Sequence, residues 1–325
     1  MPGASTQEVV MIYDKLGKTG LKVSKLCFGS LTLGPLQANL SIEKAAELIS
    51  LASDKGLNFI DTADLYGNYE HIRQGLKRSR NNWIISSKSY DYDKKGMEAS
   101  LEKARREMDR DVIDIFMLHE TESEHTIRGH WDAVDYLLEQ KIKGTIKAVG
   151  VSTHRVEGVL GALKFDEIEV IHPIFNYKGL GIEDGDARSM EEALRKACSL
   201  GKGIFAMKPL GGGNLISTRT KAFEYLKDKH YVNSVAIGMQ SEDELEYNCS
   251  MIQGEAIPDD ISKSTADKTR SLHIDSWCNG CRSCVNVCGQ NALIIKDGKA
   301  EVNKEKCILC GYCSASCPQF CIKVV

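Results

Sequence analysis

From residue 26 the chain repeats one rhythm: a short apolar run, a polar loop, then apolar positions three and four apart on a charged background. Short apolar runs bounded by turn residues read as buried strands, and the three-four spacing reads as one face of a helix. Eight strands are predicted: Leu26–Gly29, Phe59–Asp61, Trp83–Ser87, Ile113–Leu118, Ala148–Val151, Val170–His172, Gly203–Met207 and Ser234–Ile237. Helices are predicted from Ser41 to Asp54, Asn68 to Leu76, Lys95 to Met108, Thr126 to Gln140, Val156 to Ala162, Ser189 to Leu200, Ala222 to Asp228 and Ser241 to Cys249. In the third, Glu98, Glu102, Arg105 and Arg106 make a solvated face with ion-pair spacing. A short hairpin precedes this rhythm: Val9, Val10, Ile12 and Tyr13 form one strand, Gly17 to Gly20 the turn, and Leu21 to Val23 the return.

Eight strands alternating with helices are the proportions of an α/β fold of the (β/α)8 TIM barrel type. A doubly wound sheet would need fewer strands, a reversal point and, usually, a glycine-rich fingerprint after the first strand. None follows Gly29, and Gly211-Gly212-Gly213 comes late without that spacing. The expected organisation is a barrel over 1–253, a polar linker or short helix over 254–274, and a small C-terminal α+β unit over 275–325. Within that unit, Ala292 to Ile295, a turn, and Ala300 to Val302 read as a hairpin.

The apolar fraction of 42% and charged fraction of 27% are those of a globular protein. No long apolar run suggests a membrane span, and a formal charge of -3 without a basic block argues against nucleic acid as a partner. No secretory pattern opens the sequence, so a reducing cytoplasm is expected, in an anaerobic or low-oxygen organism. The cysteines change the picture more. Eight of the twelve form two runs, Cys278, Cys281, Cys284, Cys288 and Cys307, Cys310, Cys313, Cys317, each spaced C-x2-C-x2-C-x3-C. This is the pattern of bacterial ferredoxins with two [4Fe-4S] clusters, in which each cluster takes three cysteines of one run and the fourth of the other. On that rule Cys278, Cys281, Cys284 and Cys317 hold one cluster, and Cys307, Cys310, Cys313 and Cys288 the other. Zinc usually takes two close pairs around one ion, and disulfides suit a secreted chain, so both alternatives fit less well. A unit this small needs its clusters to stay folded. Cys27, Cys198 and Cys249 read as buried thiols, and Cys321 as packing beside a cluster.

In a barrel, chemistry sits at the C-terminal ends of strands. The second strand ends in Asp61, with Tyr66 one loop later; the third ends in Lys88 and the fourth in His119. Four titratable types on one rim make a proton-transfer site. His125, His130, His154, His230 and His273 have no such support and read as surface or locally bonded.

The stretches Asn58-Phe59-Ile60-Asp61-Thr62-Ala63-Asp64-Leu65-Tyr66-Gly67-Asn68-Tyr69-Glu70, Ile84-Ile85-Ser86-Ser87-Lys88 and Ile113-Asp114-Ile115-Phe116-Met117-Leu118-His119 resemble the aldo-keto reductase family, over roughly residues 10–250. The resemblance implies hydride transfer between NADP(H) or NAD(H) and a small carbonyl or alcohol substrate. Tyr66 would be the proton donor, assisted by Lys88 within hydrogen-bond reach, with Asp61 holding Lys88 and His119 orienting the carbonyl. It also implies a nicotinamide site from Ser152, Thr153, His172, Met207, Lys208, Pro209, Leu210 and Gly211, with Gly238, Met239 and Asn248 toward the adenosine. Lys208-Pro209-Leu210 looks like the branch of the family that carries iron–sulfur domains. After the eighth strand, Gly238 to Asn248 contains acids and no base, so either NADH is accepted or positive charge comes from another loop. A ferredoxin or flavoprotein is the expected redox partner. The competing class is a non-enzymatic or partner-dependent iron–sulfur electron-transfer protein on a barrel that no longer uses nicotinamide. The intact set of four argues against it.

Overall fold

The structure is a computed structural model that describes residues 11–325; Val9 and Val10 of the predicted hairpin lie outside them. Strands β1 (Tyr13–Lys15) and β2 (Lys22–Ser24) pair antiparallel. Eight parallel strands follow: β3 (Leu26–Gly29), β4 (Phe59–Asp61), β5 (Ile84–Ser89), β6 (Ile113–Leu118), β7 (Ile146–Thr153), β8 (Val170–Pro173), β9 (Gly203–Met207) and β10 (Ser234–Gly238). They close in sequence order, with β10 returning to β3. The fold is therefore the expected (β/α)8 barrel.

The predicted strands lie where the apolar runs put them, and the differences are at their ends. Pairing carries β5 on to Ser89, opposite Leu118, and β7 on to Thr153, opposite Pro173. The helix predicted over Thr126 to Gln140 is two helices, Glu124–Gly129 and Trp131–Lys143, broken at His130 just after Gly129, a residue of poor helix propensity. Cys27 and Cys249 are buried, but Cys198 is exposed, contrary to expectation. It occupies the solvent side of an amphipathic helix whose buried face is Met190, Ala193, Leu194 and Ala197.

The hairpin closes the floor of the barrel. Leu16, Leu21 and Val23 pack with Cys27, Phe59, Ile115, Met117 and Phe205 in one cluster, and Lys18 N donates to Gly201 O just before β9. The opposite, C-terminal rim is left for function. Gly17 makes the approach to the floor possible. Its φ is +53, and a Cβ there would stand 2.3 Å from Gly203 N.

Beyond the barrel a helix, Asp259–Asp267, leads to β11 (Leu272–Ile274). The hairpin of β12 (Leu293–Lys296) and β13 (Lys299–Val302) separates the two cysteine runs, and β14 (Ile322–Val324) returns antiparallel to β11. This unit docks on the barrel's C-terminal side. Val324 N donates to Gly212 O at 2.9 Å, Asn214 Nδ2 donates to Ile322 O at 3.3 Å, and Phe320 packs on Gly181.

Gly17→Val should combine left-handed strain with a backbone clash and lower stability by about 2–3 kcal/mol. At Gly20, where φ is +78 and nothing lies within 4 Å, Ala should cost only the strain, about 1–2 kcal/mol. Urea denaturation of the two variants would show it. Equal losses would mean that the floor contact contributes nothing.

Candidate active site and cysteine centres

Asp61 ends β4, Tyr66 closes the single 3-10 turn after it, Lys88 lies near the end of β5, and His119 directly follows β6. Asn68 holds the connecting loop from below: its Nδ2 donates to Ser30 O at 2.7 Å and its Oδ1 accepts from Thr62 Oγ1 at 2.9 Å. Lys88 is 1% exposed and Asp61 4%. The Lys88 ammonium donates to both Asp61 oxygens, at 2.9 and 2.7 Å, and to Thr62 O at 2.8 Å, so its three protons are all placed. Burial alone would raise the Asp61 carboxyl, but Lys88 and His172 hold it well below the usual carboxylate range. His172 reaches Asp61 Oδ2 at 3.5 Å, donates from Nδ1 to Phe205 O at 2.6 Å and stacks on Phe205.

This arrangement corrects one expectation. Lys88 does not reach the Tyr66 hydroxyl through a hydrogen bond. Its ammonium lies 4.9 Å from the centre of the Tyr66 ring, because Asp61 and Thr62 take its donors. Burial, and then Asp61 and Glu120, push the Tyr66 phenol well above its ordinary value, so Tyr66 stands here as a protonated phenol. The His119 ring lies edge to face with Tyr66 at 6.1 Å and stacks on Tyr90 at 4.3 Å. Burial and the Lys88 charge hold its pKa well below the usual histidine range, so it is a neutral imidazole, and its Nδ1 is buried without a partner.

A long groove runs from Tyr66 and Asp61 across the ends of β9, β10 and β3. Of the residues expected to hold a nucleotide, His172, Met207, Lys208, Pro209, Leu210, Gly238 and Asn248 line it. Ser152, Thr153, Gly211 and Met239 do not. The Ser152 hydroxyl oxygen accepts from Glu120 N at 2.9 Å, and Thr153 Oγ1 accepts from Arg155 N at 3.0 Å. Gly211 turns toward Leu180 and Leu215. Met239 is fully buried, and its carbonyl accepts from Thr32 Oγ1, a residue of the groove wall. Burial, reinforced by the Lys323 charge, lowers Lys208 to about 7, and Lys208 Nζ is 2.7 Å from His154 Nε2.

Three basic residues that no sequence motif marks stand at the far end of the groove. Arg219, Lys268 and Arg270 line it beside Gln240, Glu244 and Asn248. Lys268 is paired with Glu244 at 2.7 Å. Arg219 stacks on Tyr247 at 3.6 Å, Arg270 donates to Thr265 O, and neither has a carboxylate partner among the described residues. Burial, then the like charge of Arg219 against the opposing pull of Glu244, sets the Arg270 guanidinium below its ordinary value. Two guanidinium groups without a carboxylate partner at a cavity wall have the chemistry to pair with an anion. The C-terminal unit also contributes, since Lys323, Val324 and Val325 line the same groove.

The eight cysteines stand around two other cavities. Cys278, Cys281, Cys284 and Cys317 line one, together with Cys321, whose sulfur is 3.4 Å from that of Cys317. Cys288, Cys307, Cys310 and Cys313 line the second. The remaining walls include Ile295, Ala300 and Ile322 in the first and Leu272, Leu293 and Leu309 in the second. Among the described residues no three ligating side chains close on the point a single ion would occupy. Each run repeats one backbone pattern. Gly280, Arg282 and Asn291 have positive φ in the first, and Leu309, Gly311 and Phe320 at the same offsets in the second. Such turns aim successive N–H groups inward. Ala300 N already donates to Cys278 Sγ at 3.4 Å, and Ala292 N to Cys288 Sγ at 3.3 Å. Eight sulfur donors, apolar walls and inward N–H groups fit two iron–sulfur clusters.

Residues 25–254 match the model of the aldo/keto reductase family, and residues 271–318 match that of a 4Fe-4S dicluster domain. The chain is 26% identical over 213 residues to L-galactose dehydrogenase of Arabidopsis thaliana, a match covering 62% of this chain and 66% of that protein. It is 27% identical over 260 residues to the uncharacterized oxidoreductase YrpG of Bacillus subtilis, covering 68% and 75%. The crystal structure of PA4992, described as the putative aldo-keto reductase from Pseudomonas aeruginosa, superposes with a TM-score of 0.64 at 26% identity, over 74% of this chain and 94% of that one.

Lys88→Met leaves Asp61 a buried carboxylate without its cation, and should cost about 3–5 kcal/mol at neutral pH. In the wild type the depressed Asp61 contributes stability above its ordinary pKa of 3.8, and that contribution is lost as pH falls below it. In the variant Asp61 is driven upward, so the penalty should shrink as pH falls toward 4. Denaturation at stepped pH checks this, and a penalty independent of pH would contradict it.

Proposed function

The chain belongs to the aldo/keto reductase family, and from that premise we propose that it is an oxidoreductase moving a hydride between a nicotinamide nucleotide and a small carbonyl or alcohol. The observation that carries the reading is the clustering of Asp61, Tyr66, Lys88 and His119, of which Asp61 and Tyr66 line one end of a groove that has two unpaired guanidinium groups at the other. The nucleotide, when bound, supplies the hydride. In reduction, the carbonyl carbon gains hydride and its oxygen gains the Tyr66 proton, giving the alcohol and the oxidised nucleotide. Tyr66 is then reprotonated from solvent. The Lys88 charge beside the ring stabilises the phenolate as the proton leaves. Asp61 fixes Lys88. The neutral His119 imidazole donates to the carbonyl oxygen and sets its direction.

Arg219 and Arg270 suit a nucleotide with an additional phosphate, hence NADP(H) in preference to NAD(H). The acids that follow β10 are offset from this end by Lys268, which takes Glu244. The cysteine cavities would hold two [4Fe-4S] clusters, for electron transfer or for coupling to a ferredoxin or flavoprotein. They also order the unit whose last strand walls the groove. No helix among the described residues is long and apolar enough to cross a membrane.

Tyr66→Phe should lower carbonyl turnover by about 10²–10⁴-fold while nucleotide affinity stays within about threefold. Nucleotide fluorescence and single-turnover kinetics would separate the two effects. Retention of turnover would return the chain to the electron-carrier class. Arg219→Gln and Arg270→Gln should each weaken NADPH binding about tenfold and leave NADH within about twofold. An equal loss for both nucleotides would move the phosphate site elsewhere.

A further inference from the structure

Tyr66 lines the groove and His119 lines a second space, an open cavity of ≈ 680 Å³ bordered by the loops after β5, β6, β7 and β8. Tyr66 of the groove and His119 of this cavity meet edge to face, their ring centres 6.1 Å apart. On the hydride-transfer reading, a carbonyl held in the cavity against His119 lies on the side of that ring contact away from the nucleotide groove. The proposed function assigns the cavity no ligand class, and its lining supplies one.

Tyr90 and Tyr92 form one wall, 47% and 63% exposed. Tyr90 is fixed by its stack on His119 and by its hydroxyl, which donates to Glu120 Oε2 at 2.5 Å. Glu120, Glu122 and Glu183 bring three carboxylates to the lining and Arg155 one cation. Arg155 already pairs with Glu183 at 3.3 Å, Glu122 at 3.9 Å and Asp184 at 3.8 Å. The wall is therefore net negative. Thr121, 1% exposed, also lines the cavity, and its Oγ1 is buried without a partner.

We infer that this cavity takes a neutral, hydroxyl-rich carbonyl compound, a short polyhydroxylated aldehyde or ketone. Carboxylates accept from substrate hydroxyls, Thr121 adds one more hydroxyl partner, and the tyrosine rings take the C–H faces. A carboxylated or phosphorylated substrate would come to rest among like charges. An apolar one would strip water from Glu120 and Glu183 and return no hydrogen bond, which is how sites built for hydroxyls reject analogues that lack them.

The inference rests on the hydride-transfer reading, and the test separates the two. Cluster-loaded protein is given NADPH and four aldehydes of one chain length: erythrose, butanal, succinate semialdehyde and 4-trimethylammoniobutanal. Nucleotide binding is read separately by fluorescence. Erythrose should exceed butanal about tenfold in kcat/KM and succinate semialdehyde about a hundredfold. Glu120→Gln and Glu183→Gln should narrow the gap to succinate semialdehyde about tenfold. Thr121→Val should raise KM for erythrose about fivefold relative to butanal with little change in the kcat ratio. The inference is overturned if succinate semialdehyde or the cationic aldehyde matches erythrose, or if the variants move all four substrates in proportion. If nucleotide binds and butanal leads, the ligand class alone fails. If neither NADPH nor NADH binds and nothing is turned over, the hydride reading fails and takes this inference with it.

Discussion

Everything on the rim is arranged around the buried contact between Lys88 and Asp61. An ammonium and a carboxylate at 1% and 4% exposure are tolerable only because each satisfies the other, with Thr62 O taking the last proton. That requirement fixes where β4 and β5 must end relative to one another. It also fixes what remains for Tyr66. The lysine has no proton left to offer the phenol, so its influence on Tyr66 is that of a charge held beside the ring. Burial, with the Asp61 and Glu120 charges, leaves the phenol protonated in the free protein, the state a proton donor needs.

The second constraint is that the groove is not made by the barrel alone. Asn248 and Tyr247 come from the last barrel helix, Lys268 and Arg270 from the segment after it, and Lys323 to Val325 from the end of the chain. Gly212 and Gly213 allow the join. A Cβ on Gly213 would stand 2.0 Å from Val324 O, and Gly212 O accepts from Val324 N. The loop after β9 is thus fastened by a strand of the cysteine-rich unit, and the positive end of the groove is assembled from pieces more than 40 residues apart in sequence.

This explains what could be read from the sequence. The eight apolar runs carried the barrel, because strands buried on both faces need little but continuous apolar side chains. Asp61, Lys88 and His119 were legible because a strand end in a barrel is an address on the rim. The cysteine grouping was legible because its spacing is itself the geometry. Ser152 and Thr153 stand outside the groove lining for a local reason: the Ser152 hydroxyl accepts from Glu120 N, and Thr153 Oγ1 both accepts from and donates to the Arg155 backbone, contacts that a strand-end rule does not see. Arg219, Lys268 and Arg270 belong to no motif. Only the packing of the post-barrel segment brings them together, so acids after β10 looked like a phosphate-repelling end when the opposite wall was basic.

The same packing bears on why a barrel with the proposed hydride chemistry would carry clusters at all. A hydride moves two electrons at once and a [4Fe-4S] cluster one, so the two chemistries do not join directly without a mediator. The mechanical join is direct. A unit of about 50 residues has too little core to order itself, and metal binding then becomes part of its folding free energy. Cys317 precedes β14 by five residues, and Phe320 between them packs under Lys208 at 5.2 Å from its ammonium. Whatever orders the cavity of Cys278, Cys281, Cys284 and Cys317 therefore orders β14, and β14 in turn holds Gly212 and the groove wall. If the proposed clusters do that ordering, they contribute to nucleotide binding as framework even where no electron passes from them.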